Sequence, residues 1–327
     1  MADANALQFS EMRVEDSTRI APFFYRRPNK TCDSCALDSY LIAEEEDKAL
    51  FLLMDRDGEK YTAMPYCDEE ALPVYFKRIE EYFNEVLKQP LKIYLADEEA
   101  IKFLTLEENP RYLVKEEEDF KDYLYDAEEL RTLPGKRFQK KNRVNKFKRE
   151  YEGRWEYRSI CCSEKVVVWE FLDRWYQSRV KEEGNGEDTL EYEIKGIHEV
   201  LQNCMSIDHY IGGIFIDGRL EAFSIGAYNP REEMACISIE KGNPEIPGIY
   251  QIINQEFLLH EFPKAKLVNR EDDMGLAGLR KAKESYNPVG FARKYMVVQK
   301  DFKGYENFVV DKFEEEVMQY EQEDSAS

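Results

Sequence analysis

Two Asp-Gly dipeptides, one in each half of the chain, stand between short apolar runs of the kind that form β-strands. Asp57-Gly58 divides LFLLMDRDGEKYTAMPY, and Asp217-Gly218 divides IGGIFIDGRLEAFSIGAY. A two-residue Asp-Gly loop joins antiparallel strands because both of its positions tolerate positive φ angles. We therefore predict a β-hairpin at each of the two sites.

The sequence that follows each hairpin repeats as well. RIEEYFNEVLKQPLKIYLADEEAIKFL and IINQEFLLHEFPKAKLVNREDDMGLAGL each contain an amphipathic helix, a short break, an apolar strand, an acidic corner and a new helix. Asp97 falls near Asp272 when the two segments are aligned. This repeated order predicts an internal duplication.

The second half of the chain carries the clearest periodicity, which predicts the order β-α-α-β-β-β-α-β-α-β. The predicted strands cover 156–160, 210–217, 219–228, 234–240, 266–269 and 291–299, and the predicted helices cover 164–183, 190–204, 247–260 and 275–285.

The chain of 327 residues has a formal net charge of −21, which disfavours nonspecific binding to nucleic acid or to anionic membranes. Its first residues, MADANALQFSEM, lack the basic and apolar regions of a signal peptide. No apolar run approaches the roughly 18–20 residues of a membrane helix. We expect a cytoplasmic protein whose seven cysteines are reduced thiols.

Cys32-x-x-Cys35 has the spacing of half a zinc site or of a redox pair. A structural zinc site needs a second pair of ligands, and His198, His209 and His260 have no such spacing. No βαβ context of the thioredoxin kind surrounds the two cysteines. We expect ordinary thiols and no metal, with a redox pair as the alternative.

A basic segment joins the two halves. From Lys136 to Arg149 the chain has eight Lys or Arg residues and no acid. Val144, Phe147 and Tyr151 recur at helical spacing, so a helix can dock by this stripe while its charges face outward.

The basic segment predicts a phosphate-binding site, because lysine and arginine dominate affinity for nucleic-acid backbones. The alternative is a solvated helix that balances an acidic protein. The residues predicted to bind phosphate groups are Arg137, Lys140, Lys141, Arg143 and Lys241.

Three long segments carry a resemblance to a known family: LPGKRFQKKNRVNKFKREYEGRWEYR, IEKGNPEIPGIYQIINQEF and NREDDMGLAGLRKAKESYNP. They resemble an uncharacterised bacterial family that is related to the C-terminal domain of phosphatidylglycerol lysyltransferases. The predicted element order likewise resembles the GNAT fold of the acyl-CoA N-acyltransferase superfamily.

This resemblance implies an α/β (α+β) protein with two tandem GNAT-like domains, whose mixed central sheets are flanked by helices. The implied parts are an N-terminal domain at 1–132, a basic helical linker at 133–154, a C-terminal domain at 155–310 and an acidic tail at 311–327.

The resemblance implies transfer of an acyl or aminoacyl group from acyl-CoA or aminoacyl-tRNA to an amine or hydroxyl. The acceptor would be a small amine, an amino acid or a lipid head group, with neither a covalent intermediate nor a covalently bound cofactor. The loop GNPEIPGIYQ departs from the pyrophosphate loop of CoA-dependent relatives, because Pro244 and Pro247 remove two N–H donors. This departure favours another activated acyl donor without excluding CoA.

Two residues are candidates for proton transfer. Glu240 ends the strand that admits the donor in a GNAT fold, where a carboxylate can act as general base. Tyr286 lies in the last helix-to-strand connection, where a tyrosine can act as general acid. The alternatives are a strand-end ion pair for Glu240 and one ordinary tyrosine among twenty-one for Tyr286.

A polar corner follows the strand at 266–269. It is predicted to grip a zwitterion, such as the amino and carboxylate groups of an amino acid. The residues predicted to bind this acceptor are Asn269, Arg270, Glu271, Asp272 and Arg280. The alternative is a carboxylate cap on the following helix.

A second class of function stays open from the sequence alone. A duplicated fold of this kind can also be a non-catalytic module that binds an amino acid, a nucleotide or a peptide.

Overall fold

The computed structural model describes residues 7–13, 16–32, 41–45, 47–56, 59–134, 140–183, 187–205 and 208–305. The chain forms two compact units, each assembled from separate stretches of sequence. Unit 1 comprises Met1–Met12, Leu37–Glu118 and Arg293–Ser327, and unit 2 comprises Arg13–Ala36 and Asp119–Ala292. The predicted tail at 311–327 lies outside the described residues.

The described strands are β1 (Ser10–Glu11), β2 (Leu41–Glu45), β3 (Ala49–Arg56), β4 (Glu59–Thr62), β5 (Tyr66–Cys67), β6 (Lys92–Asp97), β7 (Tyr112–Glu116), β8 (Asp122–Asp126), β9 (Trp155–Ser159), β10 (Tyr210–Ile216), β11 (Arg219–Asn229), β12 (Met234–Gly242), β13 (Leu267–Asn269), β14 (Gly290–Ala292) and β15 (Lys294–Gln299). The α-helices are α1 (Ser17–Ile20), α2 (Leu72–Glu81), α3 (Glu98–Phe103), α4 (Ala127–Thr132), α5 (Lys140–Glu150), α6 (Val166–Glu183), α7 (Glu187–Gln202), α8 (Ile249–His260) and α9 (Ala277–Glu284). None of these helices is both long enough and apolar enough to cross a membrane.

Each unit contains one mixed sheet flanked by helices, so the predicted mixed α/β class is confirmed. The sheet of unit 1 has the order β1-β2-β3-β4-β6-β15-β7, with β5 paired to β3, and that of unit 2 has the order β9-β10-β11-β12-β13-β8-β14. In both sheets the fourth and fifth strands are parallel and are joined through a helix. The remaining pairs are antiparallel.

The limits of the two units fall at other positions than the predicted domain boundaries. β8 precedes the predicted linker but pairs with β13 and β14 in the sheet of unit 2. β15 follows the rest of unit 2 but pairs with β6 and β7 in the sheet of unit 1. The strand predicted over 291–299 is therefore two strands in two sheets, since Arg293 interrupts it.

The Asp217-Gly218 hairpin is confirmed, with β10 and β11 antiparallel and both turn residues at positive φ. Asp57-Gly58 lies outside the described residues, although β3 and β4 on either side of it are antiparallel partners. The two hairpins occupy different places: Asp57-Gly58 separates the third and fourth strands of its sheet, and Asp217-Gly218 separates the second and third. Aligning the Asp-Gly dipeptides therefore shifts the strand order by one.

The sheet of unit 2 is covered on both faces. The apolar cluster on one face includes residues of α4, α5 and α8, and the cluster on the opposite face includes residues of α6 and α7. Every residue of α8 from Ile249 to Leu258 is buried except Tyr250, which explains the many apolar residues on several faces of this helix. This burial also encloses the polar side chains that α8 carries.

α5 docks by the stripe that the sequence predicts. Val144 and Phe147 are buried, and the ring centroid of Phe147 lies 4.9 Å from that of Tyr151. α5 also approaches the N-terminus of α8 closely. Gly248 has a φ of +89°, and a Cβ atom on it would lie 2.9 Å from the carbonyl oxygen of Arg143. Only glycine fits both the backbone angle and the contact.

A disulfide joins Cys162, at the base of α6, to Cys204, just after α7. The expectation that all seven cysteines are reduced thiols is therefore wrong. The two residues are 42 positions apart in sequence, and the packing of α6 against α7 brings their Cα atoms to 5.8 Å. Sequence spacing cannot indicate such a pairing.

Replacing Gly248 with alanine tests the docking of α5. Gly248→Ala is expected to lower the free energy of unfolding by about 1–2 kcal/mol for the positive φ angle and by about 1–3 kcal/mol more for the collision with Arg143. Urea denaturation measures the change.

Gly153→Ala is the matched control, because Gly153 has a φ of +70° but open space within 4 Å of the position that a Cβ atom would take. This control is expected to show the backbone cost alone. Equal losses in the two variants would contradict close packing of α5 on α8.

Candidate polar site in unit 2

A buried ion pair lies where β12 and β13 end. Glu240 is near the end of β12, and Arg270 directly follows β13, the parallel neighbour of β12. Arg270 Nη2 donates a hydrogen bond of 3.0 Å to Glu240 Oε1, and the two side chains are 13% and 12% exposed. Parallel pairing thus brings together two residues 30 positions apart in sequence.

α8 supplies two amides to this ion pair and its neighbours. Asn254 Nδ2 donates to Glu240 Oε2 at 3.2 Å, and Gln251 Nε2 donates to the Tyr286 hydroxyl oxygen at 3.3 Å. The three-residue spacing places both amides on one face of the helix. Both carboxylate oxygens of Glu240 therefore already accept hydrogen bonds.

Tyr286 lies against two cations. The Cζ atom of Arg270 is 4.7 Å from the centroid of its ring, and Lys140 Nζ is 4.1 Å from the same centroid. Tyr125 of β8 contributes a second ring, with its centroid 5.9 Å from Arg270 Cζ. Glu240, Arg270, Tyr286 and Lys140, which the sequence marks out for different roles, thus form one cluster.

The protonation of this cluster follows from its burial. Burial alone would lower the pKa of Arg270, but Glu240 and then the two tyrosines raise it, so the guanidinium stays charged. Burial raises the pKa of Tyr286. Burial, followed by the charges of Arg143 and Arg270, lowers the pKa of Lys140 to about 8. Lys140 is therefore the member of the cluster that exchanges a proton near neutral pH.

Two buried polar atoms of the site have no hydrogen-bond partner among the described residues: Arg270 Nη1 and Ser224 Oγ. Ser224 is fully buried on β11 and is paired in register with Glu240 on β12. Directly opposite residues of antiparallel strands project from the same face of the sheet. The Ser224 hydroxyl therefore lies on the Glu240 side of the sheet.

Asn269 forms hydrogen bonds to other segments of the chain and does not face this cluster. Its side-chain Nδ2 donates to the Lys30 carbonyl at 2.7 Å and to Asp122 Oδ2 at 2.9 Å. Its Oδ1 accepts from the backbone N–H of Glu271, a residue at positive φ. These bonds fix the loop that carries Arg270.

The acids of the predicted corner shape the same loop. Asp272 Oδ1 accepts from the Met274 N–H at 3.0 Å, and Asp273 Oδ1 accepts from the Gly275 N–H at 3.0 Å. Since α9 begins only at Ala277, these carboxylates cap turns of the loop and not the helix. The helix-cap interpretation is therefore replaced by a turn.

Arg280 and Lys283 of α9 form further hydrogen bonds that hold this loop. Arg280 Nε donates to Asp273 Oδ2 at 2.8 Å, and its Nη2 donates to Asp119 at 2.7 Å. The Arg280 guanidinium holds the pKa of Asp273 low, at about 2. Lys283 Nζ, on a buried side chain, donates to the backbone carbonyls of Arg270 and Asp272. Of the two arginines predicted to bind the acceptor, Arg270 thus lies in the cluster, whereas Arg280 bonds to Asp273 and Asp119.

The residues predicted to bind phosphate divide among three places. Lys141 and Arg143 are exposed on α5, whereas Lys140 faces Tyr286. Lys241 Nζ lies 4.7 Å from the Trp175 ring, on the α6 side of the sheet. Arg137 lies outside the described residues, as does Cys35. The Cys32 thiol donates to Asp122 Oδ1 at 3.3 Å.

α5 also borders an open groove of about 560 Å³. The residues that line it are Asn142, Asn145, Lys148 and Arg149. Their spacing of three or four positions forms a single stripe along the helix. The basic segment thus presents hydrogen-bond donors and positive charge to solvent on a face separate from its buried stripe.

The family model for the C-terminal region of phosphatidylglycerol lysyltransferase matches residues 34–298. The chain belongs to this family. The match covers most of the 327 residues and confirms the resemblance that the three long segments carry. Among curated proteins, none matches the sequence.

Solved structures share the fold of this family member over most of its length. A conserved protein of unknown function from Bacteroides thetaiotaomicron covers 90% of this chain and 100% of its own, with 24% identity and a TM-score of 0.77. L-PGS from Bacillus licheniformis covers 89% and 94%, with 14% identity and a TM-score of 0.65. The C-terminal domain of a putative lysylphosphatidylglycerol synthetase from Agrobacterium fabrum covers 88% and 93%, with 13% identity and a TM-score of 0.64.

Sequence reasoning missed the residues that surround the ion pair, namely Ser224, Gln251, Asn254 and Tyr125. One signal was available. The segment IYQIINQEFLLH is apolar enough for a helix buried on all sides, so its amides must lie in the interior, where polar groups require partners. Ser224 carries no such signal, because a single serine in a strand is common.

Removing Arg270 tests whether the ion pair is interior. Arg270→Met is expected to lower the free energy of unfolding by about 3–5 kcal/mol, because it leaves the Glu240 carboxylate buried without its charge partner. Adding Glu240→Gln removes that charge and is expected to restore at least half of the loss. Denaturant unfolding of both variants measures this coupling, and an additive double variant would contradict it.

The lowered pKa of Lys140 predicts a pH dependence of stability. Between about pH 8 and the ordinary lysine value near 10.5, the unfolded chain binds the proton that folded Lys140 has lost, so unfolding free energy rises with pH. Lys140→Met is expected to remove this part of the rise.

The measurement compares urea midpoints at pH 7, 9 and 10 for the unmodified protein, for Lys140→Met and for Lys141→Met. Lys141 is the exposed neighbour on α5, and its removal is expected to leave the pH profile unchanged. Parallel profiles for all three proteins would show that Lys140 is solvated.

Proposed function

We propose that this protein transfers an aminoacyl group from aminoacyl-tRNA to an amine or hydroxyl acceptor at the cluster around Arg270. Membership of the lysyltransferase family supports a transfer reaction. The observation that carries the proposal is the convergence of a lysine with a pKa of about 8, a buried tyrosine and a buried arginine on one point. Proton transfer at neutral pH requires a group of this kind.

Lys140 and Tyr286 carry the protons in this proposal. The acceptor attacks the carbonyl carbon of the donor ester, and its proton passes to the neutral amine of Lys140. The ester C–O bond then breaks, and the Tyr286 hydroxyl protonates the departing ribose oxygen. In this proposal Glu240 orients Arg270, from which it accepts a hydrogen bond, and Lys140 is the base because its pKa of about 8 lies nearer to neutral pH than that of an ordinary lysine.

The packing of α5 supports a tRNA donor over acyl-CoA. A CoA pyrophosphate bound at the start of α8 would need that helix terminus, where the Arg143 carbonyl contacts Gly248. Pro244 and Pro247 remove further N–H donors from the preceding loop. The exposed charges and the groove of α5 offer a surface to an RNA backbone instead.

The order of strands supports the tandem GNAT-like organisation that we also propose. Both sheets place the parallel pair in the fourth and fifth positions and insert a distant strand between the fifth and last strands. An ancestral single unit that duplicated and then exchanged one strand would produce this arrangement. In this proposal the repeated helix-strand-helix segment is the trace of that event, whereas the two Asp-Gly hairpins, which lie one strand apart in the strand order, are not.

The test is transfer from a charged RNA minihelix, compared with acyl-CoA, to a panel of amines and hydroxyl compounds. The acidic chain is expected to bind the minihelix through α5. Replacing Lys141, Arg143, Lys146 and Arg149 with glutamine should weaken binding and reduce the slope of log affinity against log salt by about 0.7–0.9 for each lost phosphate contact.

A control variant removes four exposed lysines elsewhere, Lys77, Lys102, Lys195 and Lys264, and is expected to retain the original slope. Tyr286→Phe and Lys140→Met should abolish transfer while leaving minihelix binding intact. Transfer from acyl-CoA alone would overturn the tRNA donor. Binding of the minihelix without any transfer would favour a non-catalytic binding module.

A further inference from the structure

The unpartnered atoms around Glu240 indicate what kind of chemical group the site receives. Arg270 Nη1 and Ser224 Oγ are both buried, and neither has a hydrogen-bond partner among the described residues. A buried donor without a partner is destabilising, so its presence in a packed interior requires an explanation. Both atoms belong to residues that adjoin Glu240, one by an ion pair and one by strand pairing.

The hydrogen-bonding groups that remain available in this cluster are mainly donors. Arg270 Nη1 can only donate. The Tyr286 oxygen already accepts from Gln251, which leaves its O–H free to donate. The Ser224 hydroxyl can donate as well. Each oxygen of Glu240 already accepts one hydrogen bond, Oε1 from Arg270 and Oε2 from Asn254.

The charge balance points the same way. Within this cluster one carboxylate faces the guanidinium of Arg270 and the amine of Lys140. A substrate ammonium would meet two cations and a single carboxylate that already pairs with one of them. An anionic oxygen group would instead satisfy Arg270 Nη1 and the Ser224 hydroxyl, and charge-assisted hydrogen bonds of this kind are stronger than bonds between neutral groups.

We infer that Arg270 and Ser224, next to Tyr286, form a subsite for an anionic oxygen group, a carboxylate or a phosphate, on a substrate of the reaction proposed above. The inference rests on that proposed function for its biological setting, but the subsite is defined by binding alone. It excludes recognition of a cationic side chain, such as that of lysine, at this point. Specificity here depends on Ser224, which nothing in the sequence marks out.

Three probes of similar size separate the chemical classes: N-acetylglycine for a carboxylate, methyl phosphate for a phosphate and n-butylammonium for a cation. Isothermal titration at constant ionic strength measures each dissociation constant for the full chain without any donor. At least one anion is expected to bind, with no detectable binding of n-butylammonium. The preferred anion identifies which oxygen group the subsite takes.

Ser224→Ala is the decisive variant, because Ser224 Oγ makes no hydrogen bond within the described residues that the folded protein would lose. This change is expected to weaken anion binding by 3- to 10-fold with an equal or higher melting temperature. Arg270→Lys keeps a positive charge but loses the guanidinium, and it is expected to weaken binding at least 10-fold. Ser285→Ala, on an exposed serine beside Tyr286 whose hydroxyl donates to the Ala282 carbonyl, should leave anion binding unchanged.

The possible outcomes are distinct. Binding of n-butylammonium without binding of either anion would overturn the subsite, as would anion affinities that Ser224→Ala leaves unchanged. Absence of binding by all three probes would show that solvent satisfies the two atoms, and would also overturn it. Anion binding in a protein that fails the transfer assay would leave the subsite standing and overturn the proposed reaction, whereas transfer without anion binding would overturn the subsite alone.

Discussion

The guanidinium of Arg270 is almost cut off from water, and the polar interior of unit 2 depends on it. A buried cation needs a counter-charge, which Glu240 supplies, and the buried carboxylate in turn needs a second donor. Asn254 provides that donor from α8. One interior charge thus accounts for a carboxylate at the end of a strand and an amide within an otherwise apolar helix.

The loop that carries Arg270 is held through its backbone as much as through its side chains. Lys283 binds two of its carbonyls, Asn269 binds the Glu271 N–H, and Arg280 anchors Asp273. Loops usually form the mobile part of an α/β site, but this one has donors and acceptors satisfied from three directions. Because the loop is fixed, the guanidinium stays beside Glu240 of β12. This suits a site that must be organised before its substrate binds.

Local pattern was enough to predict most elements of unit 2 and to select Glu240, Arg270, Tyr286 and Lys140, although for separate roles. It was not enough to show that they meet, because that depends on the parallel pairing of β12 with β13 and on the docking of α5. The division of 291–299 between two sheets is also a long-range result, since β14 and β15 are separated by a single residue and have different partners. The contacts of the acidic corner could not be predicted for a related reason. Arg280 and Lys283, one to two turns into the next helix, form hydrogen bonds to it.

The exchange of β8 and β15 between the two sheets affects how the chain is made as well as how it is arranged. Unit 2 has all of its strands once Ala292 has been synthesised, whereas the sheet of unit 1 still lacks the strand that lies between β6 and β7. At about 5–20 residues per second, the ribosome needs on the order of 10 to 40 seconds to proceed from β7 to the end of β15. During that interval the edge of β6 has no neighbour on one side, and such edges pair readily with other chains. Co-translational folding therefore completes the later unit first, and the earlier one waits with an open edge that cellular chaperones are suited to shield.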